Sequence, residues 1–393
     1  MHGSCIGRSW HEPSSLAGCR TCGACADALP QRFACSHSDC WPACGRNKPR
    51  MVPASPSPHP GYPAHCSHDG TRQRARRPFL RTRSGQRMSL AVLCPGQGGQ
   101  HAEMFARLGD TPAAAAVMAS AQRVLGVAPL TVAADPGRYA NAIAQPLVCA
   151  GTLAHWQALR TQLPTPLLVL GYSVGELAAH AVAGSMSTDT CLQLAATRAR
   201  LMDAASPQQA GLIAVIGVPL RALEALCQAH GAALAIINGD DHAVLGGPRA
   251  ALQALGEAAS AQGARVTLLP VSVPAHTPWL SPAAEGFAIE LESADLIAPK
   301  LRVLAGIDAR AVGTHALVVD TLSRQIAQTV RWYDVLVQAA ERGARVFLEL
   351  GPGSALARMA REVLPACEAR SVDEFHSTHG VVEWVTAACE RAA

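Results

Sequence analysis

Ser173 stands in the spacing Gly171-x-Ser173-x-Gly175, within GYSVGE. Between a strand and a helix, that spacing forms a sharp turn exposing the hydroxyl, so Ser173 is a candidate acyl-accepting nucleophile; the bland alternative is a helix N-cap. A serine hydroxyl needs a base. Seven histidines follow it: His180, His230, His242, His276, His315, His376 and His379. The Ser, acid, His order of an α/β-hydrolase nominates His376 or His379, near the C-terminus. His276 competes on context, because in LLPVSVPAHTPWL it lies just past a strand pattern and between two prolines that stiffen the backbone.

The elements that must position these side chains follow from apolar periodicity. Residues 89–94 (SLAVLC), 167–170 (LLVL) and 346–350 (VFLEL) are short apolar runs of the kind that form buried parallel strands. Ala-rich stretches at 113–126, 147–162, 174–183, 187–204 and 317–329 have helical character. Alternation of the two predicts an α/β domain with a parallel sheet. Between 211 and 270 the order becomes strand, helix, strand, strand, helix, strand, which is the ferredoxin-like (βαββαβ) unit. The expected layout is a large α/β-hydrolase-like domain over 88–210 and 271–393, with a small subdomain inserted at 211–270. A substrate cleft is expected where they meet.

At 393 residues, 49% apolar and 16% charged, the chain can bury the core of one large domain or two modest ones. No stretch has the roughly 18 apolar residues of a membrane helix, and the N-terminus carries Arg8, His11 and Glu12 where an export signal is apolar. A soluble protein of the cytoplasm is expected. The formal charge of +4 divides unevenly: residues 1–87 hold 13 Lys/Arg against 4 Asp/Glu, or +9, and residues 88–393 hold 20 against 25, or −5. Eight of the 14 cysteines lie in that first segment among Pro, Ser and His without apolar period, so it cannot fold by itself. Cys19-x-x-Cys22-x-x-Cys25 lacks the following spacing of a ferredoxin run, and Cys22, Cys25, Cys40 and Cys44 are a zinc alternative. The basic run Arg74 to Arg87 reads as solvated, with nucleic-acid binding the alternative. The composition changes abruptly at Met88, so translation is expected to begin there, with no metal, membrane or nucleic acid involved.

Five separated segments together resemble the malonyl-CoA:acyl carrier protein transacylase family. They are Pro95-Gly96-Gln97-Gly98-Gly99-Gln100, Gly171 to Glu176, Thr197 to Met202, Val273-Pro274-Ala275-His276 and Leu350-Gly351-Pro352-Gly353, in the family's order. The resemblance implies a large α/β core with a ferredoxin-like insertion, as read above. It also implies roles: Ser173 as acylated nucleophile, His276 as base, and the Gln97 and Val174 amides as an oxyanion hole. Gln325 resembles the residue beside the histidine, which neutral oxygens orient in place of a triad carboxylate. Arg198 resembles the residue that pairs with the free malonyl carboxylate, which suits a guanidinium fork, while the neighbouring Arg200 reads as a surface residue. The glycine-rich loop lacks the Lys-Ser/Thr of a phosphate-binding loop.

Two positions depart from ordinary family members: Tyr172 where they have His, and Gly99 where they have Ser. Tyr172 within GYSVGE is similar to the malonyl transferase (epsilon) subunit of bacterial malonate decarboxylase. The implied reaction is ping-pong transfer from malonyl-CoA, through a malonyl-serine, to the phosphopantetheine-type thiol of an acyl carrier protein. No cofactor is bound. The carrier would be the malonate decarboxylase subunit, with its phosphoribosyl-dephospho-CoA group, or alternatively the fatty-acid synthesis carrier. From other classes, a serine hydrolase or thioesterase and a non-catalytic carrier-binding subunit stay open.

Overall fold

Apolar runs too short for helices become parallel strands when both faces are covered. The computed structural model describes residues 89–108 and 111–393, so the cysteine-rich segment with its zinc and basic-run expectations, and Met88, lie outside the described residues. Ten strands are described: β1 (Leu90–Cys94), β2 (Leu168–Gly171), β3 (Ala210–Ile216), β4 (Ala233–Ile237), β5 (His242–Pro248), β6 (Arg265–Leu268), β7 (Val303–Leu304), β8 (Ala311–Val312), β9 (Val346–Glu349) and β10 (Glu368–Ser371). Between and around them run α1 (Pro112–Leu125), α2 (Pro129–Ala134), α3 (Asn141–Leu159), α4 (Gly175–Val182), α5 (Thr188–Ala205), α6 (Leu220–His230), α7 (Arg249–Ala261), α8 (Ser281–Ser293), α9 (His315–Arg324), α10 (Trp332–Glu341), α11 (Ala355–Val363) and α12 (Thr378–Arg391).

The large sheet has the order β10-β9-β1-β2-β7-β8, parallel throughout except for the final pair. Strands β1, β2 and β9 are buried at every position, as the apolar runs require. The register sets Leu93 beside Leu170 and Glu349, so the segments leaving β1, β2 and β9 emerge together at one sheet edge. Ligands of open α/β sheets bind at that carboxyl end.

Two helix boundaries differ from expectation by more than three residues. Helix α3 starts at Asn141, six residues before the predicted 147, and carries Pro146 inside it. The proline forfeits one backbone hydrogen bond, but nearly all of α3 is buried, and packing outweighs the local break. Helix α9 ends at Arg324, five residues before the predicted 329. The chain then turns because its backbone is claimed elsewhere: the Ile326 carbonyl accepts from the His276 amide (2.8 Å), and the Val330 carbonyl accepts from the Ile237 amide of β4 (2.8 Å).

Strands β3 to β6 form a second, wholly antiparallel sheet of order β4-β5-β3-β6, with α6 and α7 in the crossovers. Alternation along its strands divides its faces. Ile213, Val215, Ala243 and Leu245 pack with α6 and α7 in a small core, while Leu212, Ile236 and Val244 join the main core on the other side.

Candidate active site

The elbow at Ser173 is imposed by close approach of backbone. A Cβ at Gly171 would lie 2.2 Å from the Glu176 Cα, and one at Gly175 would lie 2.1 Å from the Cys94 carbonyl oxygen, so only glycine permits the turn. Ser173 sits between them at φ 55°, a left-handed conformation rare for serine. His276 is also left-handed, at φ 63°. Backbone strain of this kind persists where the surroundings over-determine it, as they do in both residues here.

The two side chains meet. His276 Nε2 lies 2.8 Å from Ser173 Oγ, and His276 Nδ1 lies 2.6 Å from the Gln325 carbonyl oxygen. A carbonyl only accepts, so Nδ1 carries the proton and Nε2 is free to take the serine's. Burial, and then the charge of Arg198, hold His276 down at about 3, so the imidazole is neutral at physiological pH. His376 and His379 are both exposed, and His379 pairs instead with Glu383 on its own helix at 3.1 Å. Of the three candidate bases, His276 is the one whose ring lies within hydrogen-bond distance of Ser173 Oγ.

Arg198 is only 2% exposed and projects from α5 into the same place. Its Nη1 donates to Gln145 Oε1 (2.7 Å) and its Nη2 to Gln325 Oε1 (3.0 Å). Burial lowers it to about 10, which leaves it charged at neutral pH. Arg200, as expected of a surface residue, is exposed and lies 3.9 Å from Glu290. Gln325 uses its other end as well: Nε2 donates to the Ser173 carbonyl (3.0 Å) and to Glu176 Oε2 (2.6 Å).

Gln97 follows β1, and Val174 is the N-cap of α4; among the described residues neither backbone amide has an acceptor. The Val174 amide stands at the positive end of a helix, where negative charge is stabilised. Neighbouring glycines keep the Gln97 loop close. A Cβ at Gly96 would lie 2.8 Å from the Tyr172 carbonyl oxygen, and one at Gly99 would lie 2.7 Å from that of Pro352. The second contact accounts for glycine at 99 in this chain. Tyr172 packs edge-on against Trp332, ring centroids 5.3 Å apart, and donates to Asn238 Oδ1 at 3.2 Å, so it reaches the turn after β4 and not the serine hydroxyl.

These groups line one cavity of about 330 Å³. Gln97, Ser173, Arg198 and His276 border it, and Leu212, Ala214, Ile236 and Val244 supply an apolar wall from the second sheet. Sequence reasoning missed Gln145 and assigned no role to Glu176. Only the fixed distance of Glu176 from Ser173, one helical turn along the elbow, could have signalled it. Among the described residues no group of His, Cys, Asp and Glu is placed to hold a metal ion, and no helix is long and apolar enough to cross a membrane.

The chain is 29% identical over 307 residues to the malonyl CoA-acyl carrier protein transacylase of Haemophilus influenzae, covering 75% of this chain and 98% of that protein. The structure of the malonyl CoA-acyl carrier protein transacylase from Coxiella burnetii superposes with a TM-score of 0.73 at 25% identity, over 77% of this chain and 98% of that one. A malonyl-transacylase solved in complex with its type II PKS acyl-carrier protein gives 0.71 at 27% identity, over 75% and 99%. Residues 92–381 match the acyl transferase domain, a span that holds every site residue described above, and the chain belongs to that family and is an acyltransferase.

Proposed function

We infer that this acyltransferase moves a malonyl group from malonyl-CoA to the thiol of an acyl carrier protein, by way of a malonyl ester on Ser173. The observation that carries the reading is a buried guanidinium, Arg198, in the same cavity as a serine and imidazole 2.8 Å apart. A permanent cation beside a nucleophile suits an acyl group that ends in a carboxylate. Relatives named for malonyl transfer, one of them solved with a carrier protein, support the same substrates.

The steps use groups already in place. Ser173 Oγ attacks the thioester carbonyl as its proton passes to His276 Nε2, and the Gln97 and Val174 amides hold the resulting oxyanion. The intermediate collapses, the carbon–sulfur bond breaks, and the CoA sulfur takes the proton back from His276. The carrier thiol then repeats the sequence in reverse. The Gln325 carbonyl keeps the proton on Nδ1 throughout, doing with a neutral oxygen what a carboxylate does in a hydrolase triad. The buried imidazole holds a proton poorly, which favours its rapid return; a malonyl carboxylate on Arg198 would offset the cation that depresses it.

Of the two pathway contexts, the fatty-acid synthesis type is favoured, because the similar proteins are named malonyl CoA-acyl carrier protein transacylase. Tyr172 remains the one feature pointing to malonate decarboxylase, and its partners are structural: Trp332 and Asn238. The reading includes a cytoplasmic setting, no bound cofactor, and residues 211–270 as a ferredoxin-like insertion between 88–210 and 271–393. The strand order of the second sheet supports that division.

Arg198→Ala tests the substrate. Losing a charge-assisted partner costs a bound carboxylate about 1.5–3 kcal/mol, so malonyl transfer should fall by roughly tenfold or more. Acetyl transfer, which has no carboxylate to place, should be spared. Equal losses with malonyl-CoA and acetyl-CoA would assign Arg198 to the fold and remove the main support for a malonyl substrate.

A further inference from the structure

Glu176 is fully buried on the first turn of the elbow helix, at 0% exposure. A carboxylate in such a place is costly unless its oxygens are used. Oε2 accepts from Gln325 Nε2 at 2.6 Å and from the Gly306 amide at 3.1 Å, and Oε1 has no partner among the described residues. The backbone leaves room for it: a Cβ at Gly306 would lie 2.7 Å from Oε2. Burial raises the group to about 7, against the hydrogen bonds from Gln325 and Gly306 and the charge of Arg198 that lower it.

What Glu176 holds is Gln325, and Gln325 holds both working ends of the site. Its side-chain oxygen receives Arg198 Nη2, and its backbone oxygen receives the His276 Nδ1 proton. An amide can turn end for end, since its oxygen and nitrogen have nearly the same shape. Turned, it would present N–H groups to the guanidinium, donor against donor. Two acceptors oppose that: the Ser173 carbonyl and Glu176 Oε2 each claim one hydrogen of Nε2.

We propose that Glu176 is a positioning residue, which through Gln325 fixes the substrate-facing guanidinium and the histidine base in one arrangement. The competing role is a carboxylate that only favours the positive end of α4. The two roles differ in consequence. A helix-end carboxylate affects stability alone, while a positioning carboxylate affects how fast Ser173 reacts and which acyl group it prefers. The inference rests on the acyl-transfer reading above.

The test uses the full chain and two probes, with three substitutions. A fluorophosphonate reads the Ser173–His276 pair whatever the natural acyl group is: Ser173 Oγ bonds to phosphorus, fluoride leaves, and His276 takes the proton. Competing malonyl-CoA and acetyl-CoA, read by intact-protein mass, give acyl preference. In Glu176→Leu, labelling should slow by about tenfold or more and preference for malonyl should collapse, as expected when reacting groups drift by an ångström. Glu176→Gln keeps an acceptor for Gln325 and should restore most of both. Gly306→Ala leaves every charge in place but crowds Oε2, and should reproduce a weaker form of the Leu defect. If Glu176→Leu melts lower but labels at the wild-type rate with unchanged preference, the residue is only structural and the proposal fails. It fails also if Glu176→Gln is as slow as Glu176→Leu. Should Glu176→Leu not fold, near-wild-type labelling in Glu176→Gln beside slowed labelling in Gly306→Ala supports the proposal, and equal rates in those two variants overturn it. A wild-type enzyme that labels with fluorophosphonate yet takes no malonyl group would overturn the substrate reading while leaving the Glu176 comparison intact.

Discussion

The two sheets meet the same cavity by different means. Strands β1, β2 and β9 are buried on both faces, and the loops leaving them carry Gln97, Ser173 and the Gly351-Pro352-Gly353 turn. The antiparallel sheet has one face on its own small core, while residues of the other face line the cavity, and its edge strand β6 is largely exposed. A sheet covered on both sides holds its loops in place, which chemistry at a 2.8 Å contact requires. A sheet with one committed face supplies shape. None of Ser173, His276, Arg198, Gln325 and Glu176 lies on a strand of the second sheet, although Leu212, Ala214, Ile236, His242 and Val244 of that sheet border the cavity.

The sharpest way to break this contrast is in the elbow. In Gly175→Ala the added Cβ would meet the Cys94 carbonyl at 2.1 Å and that of Pro95 at 2.5 Å, both backbone atoms with nowhere to go. The cost should exceed about 3 kcal/mol, and acylation should vanish, as thermal melting and single-turnover labelling would show. Near-normal labelling would mean that the large sheet is not the rigid frame described.

A smaller loss is expected in the second sheet. Leu245 is fully buried in the core shared with α6 and α7, and Leu245→Ala should cost about 2 kcal/mol in stability, the low end for such a change, since a small core can partly collapse. Hydrogen exchange should speed up in β3 to β6 and remain slow in β1 and β2. Uniform acceleration over both sheets would show that the second sheet does not behave as a separate layer.

The effects of pH oppose each other. Burial holds His155 at about 4 and His180 and His276 at about 3, below the ordinary 6.5, so the unfolded chain takes up protons that the folded one refuses as pH drops under 6.5. Their stabilisation is therefore lost on the acid side. Burial raises Glu176 to about 7 and Glu349 to about 8 from the ordinary 4.5, so their contribution is complete below 4.5 and is lost as pH rises through those values. Three imidazoles against two carboxyls give a net gain with pH up to about 6.5 and a net loss above it, at about 1.4 kcal/mol per pH unit for each unbalanced proton. Denaturant melts across pH should peak near that point, and Glu349→Gln should flatten the alkaline side. A peak displaced well above pH 8 would contradict the buried state of the two carboxyls.

Most of the frame was legible in the sequence because apolar runs and the glycine spacing report local necessity. The run LAVLC, closed by Pro-Gly, has the length and apolar character of a buried strand, and Gly171 and Gly175 announce a turn that no larger residue permits. What stayed hidden depends on tertiary neighbours. The helix is expected to start at 147, yet it begins at Asn141 with Pro146 inside it, because a helix buried almost all round gains more from packing than one hydrogen bond costs. Helix α9 reads as continuing to 329, yet it ends where the Ile326 and Val330 carbonyls are needed by His276 and β4. Gln325 was expected beside the histidine. That its side chain also ties Arg198 to Glu176 could not be read from three residues so far apart in the chain.

The central claim is a malonyl ester on Ser173, and intact-protein mass spectrometry after mixing with malonyl-CoA tests it most directly. A single malonyl adduct is expected, mapped to the peptide carrying Ser173, discharged by a carrier-protein thiol and missing from a folded Ser173→Ala. An adduct that survives in Ser173→Ala, for instance on Cys94 at the end of β1, would contradict it, as would a folded wild-type protein that takes no malonyl group at all.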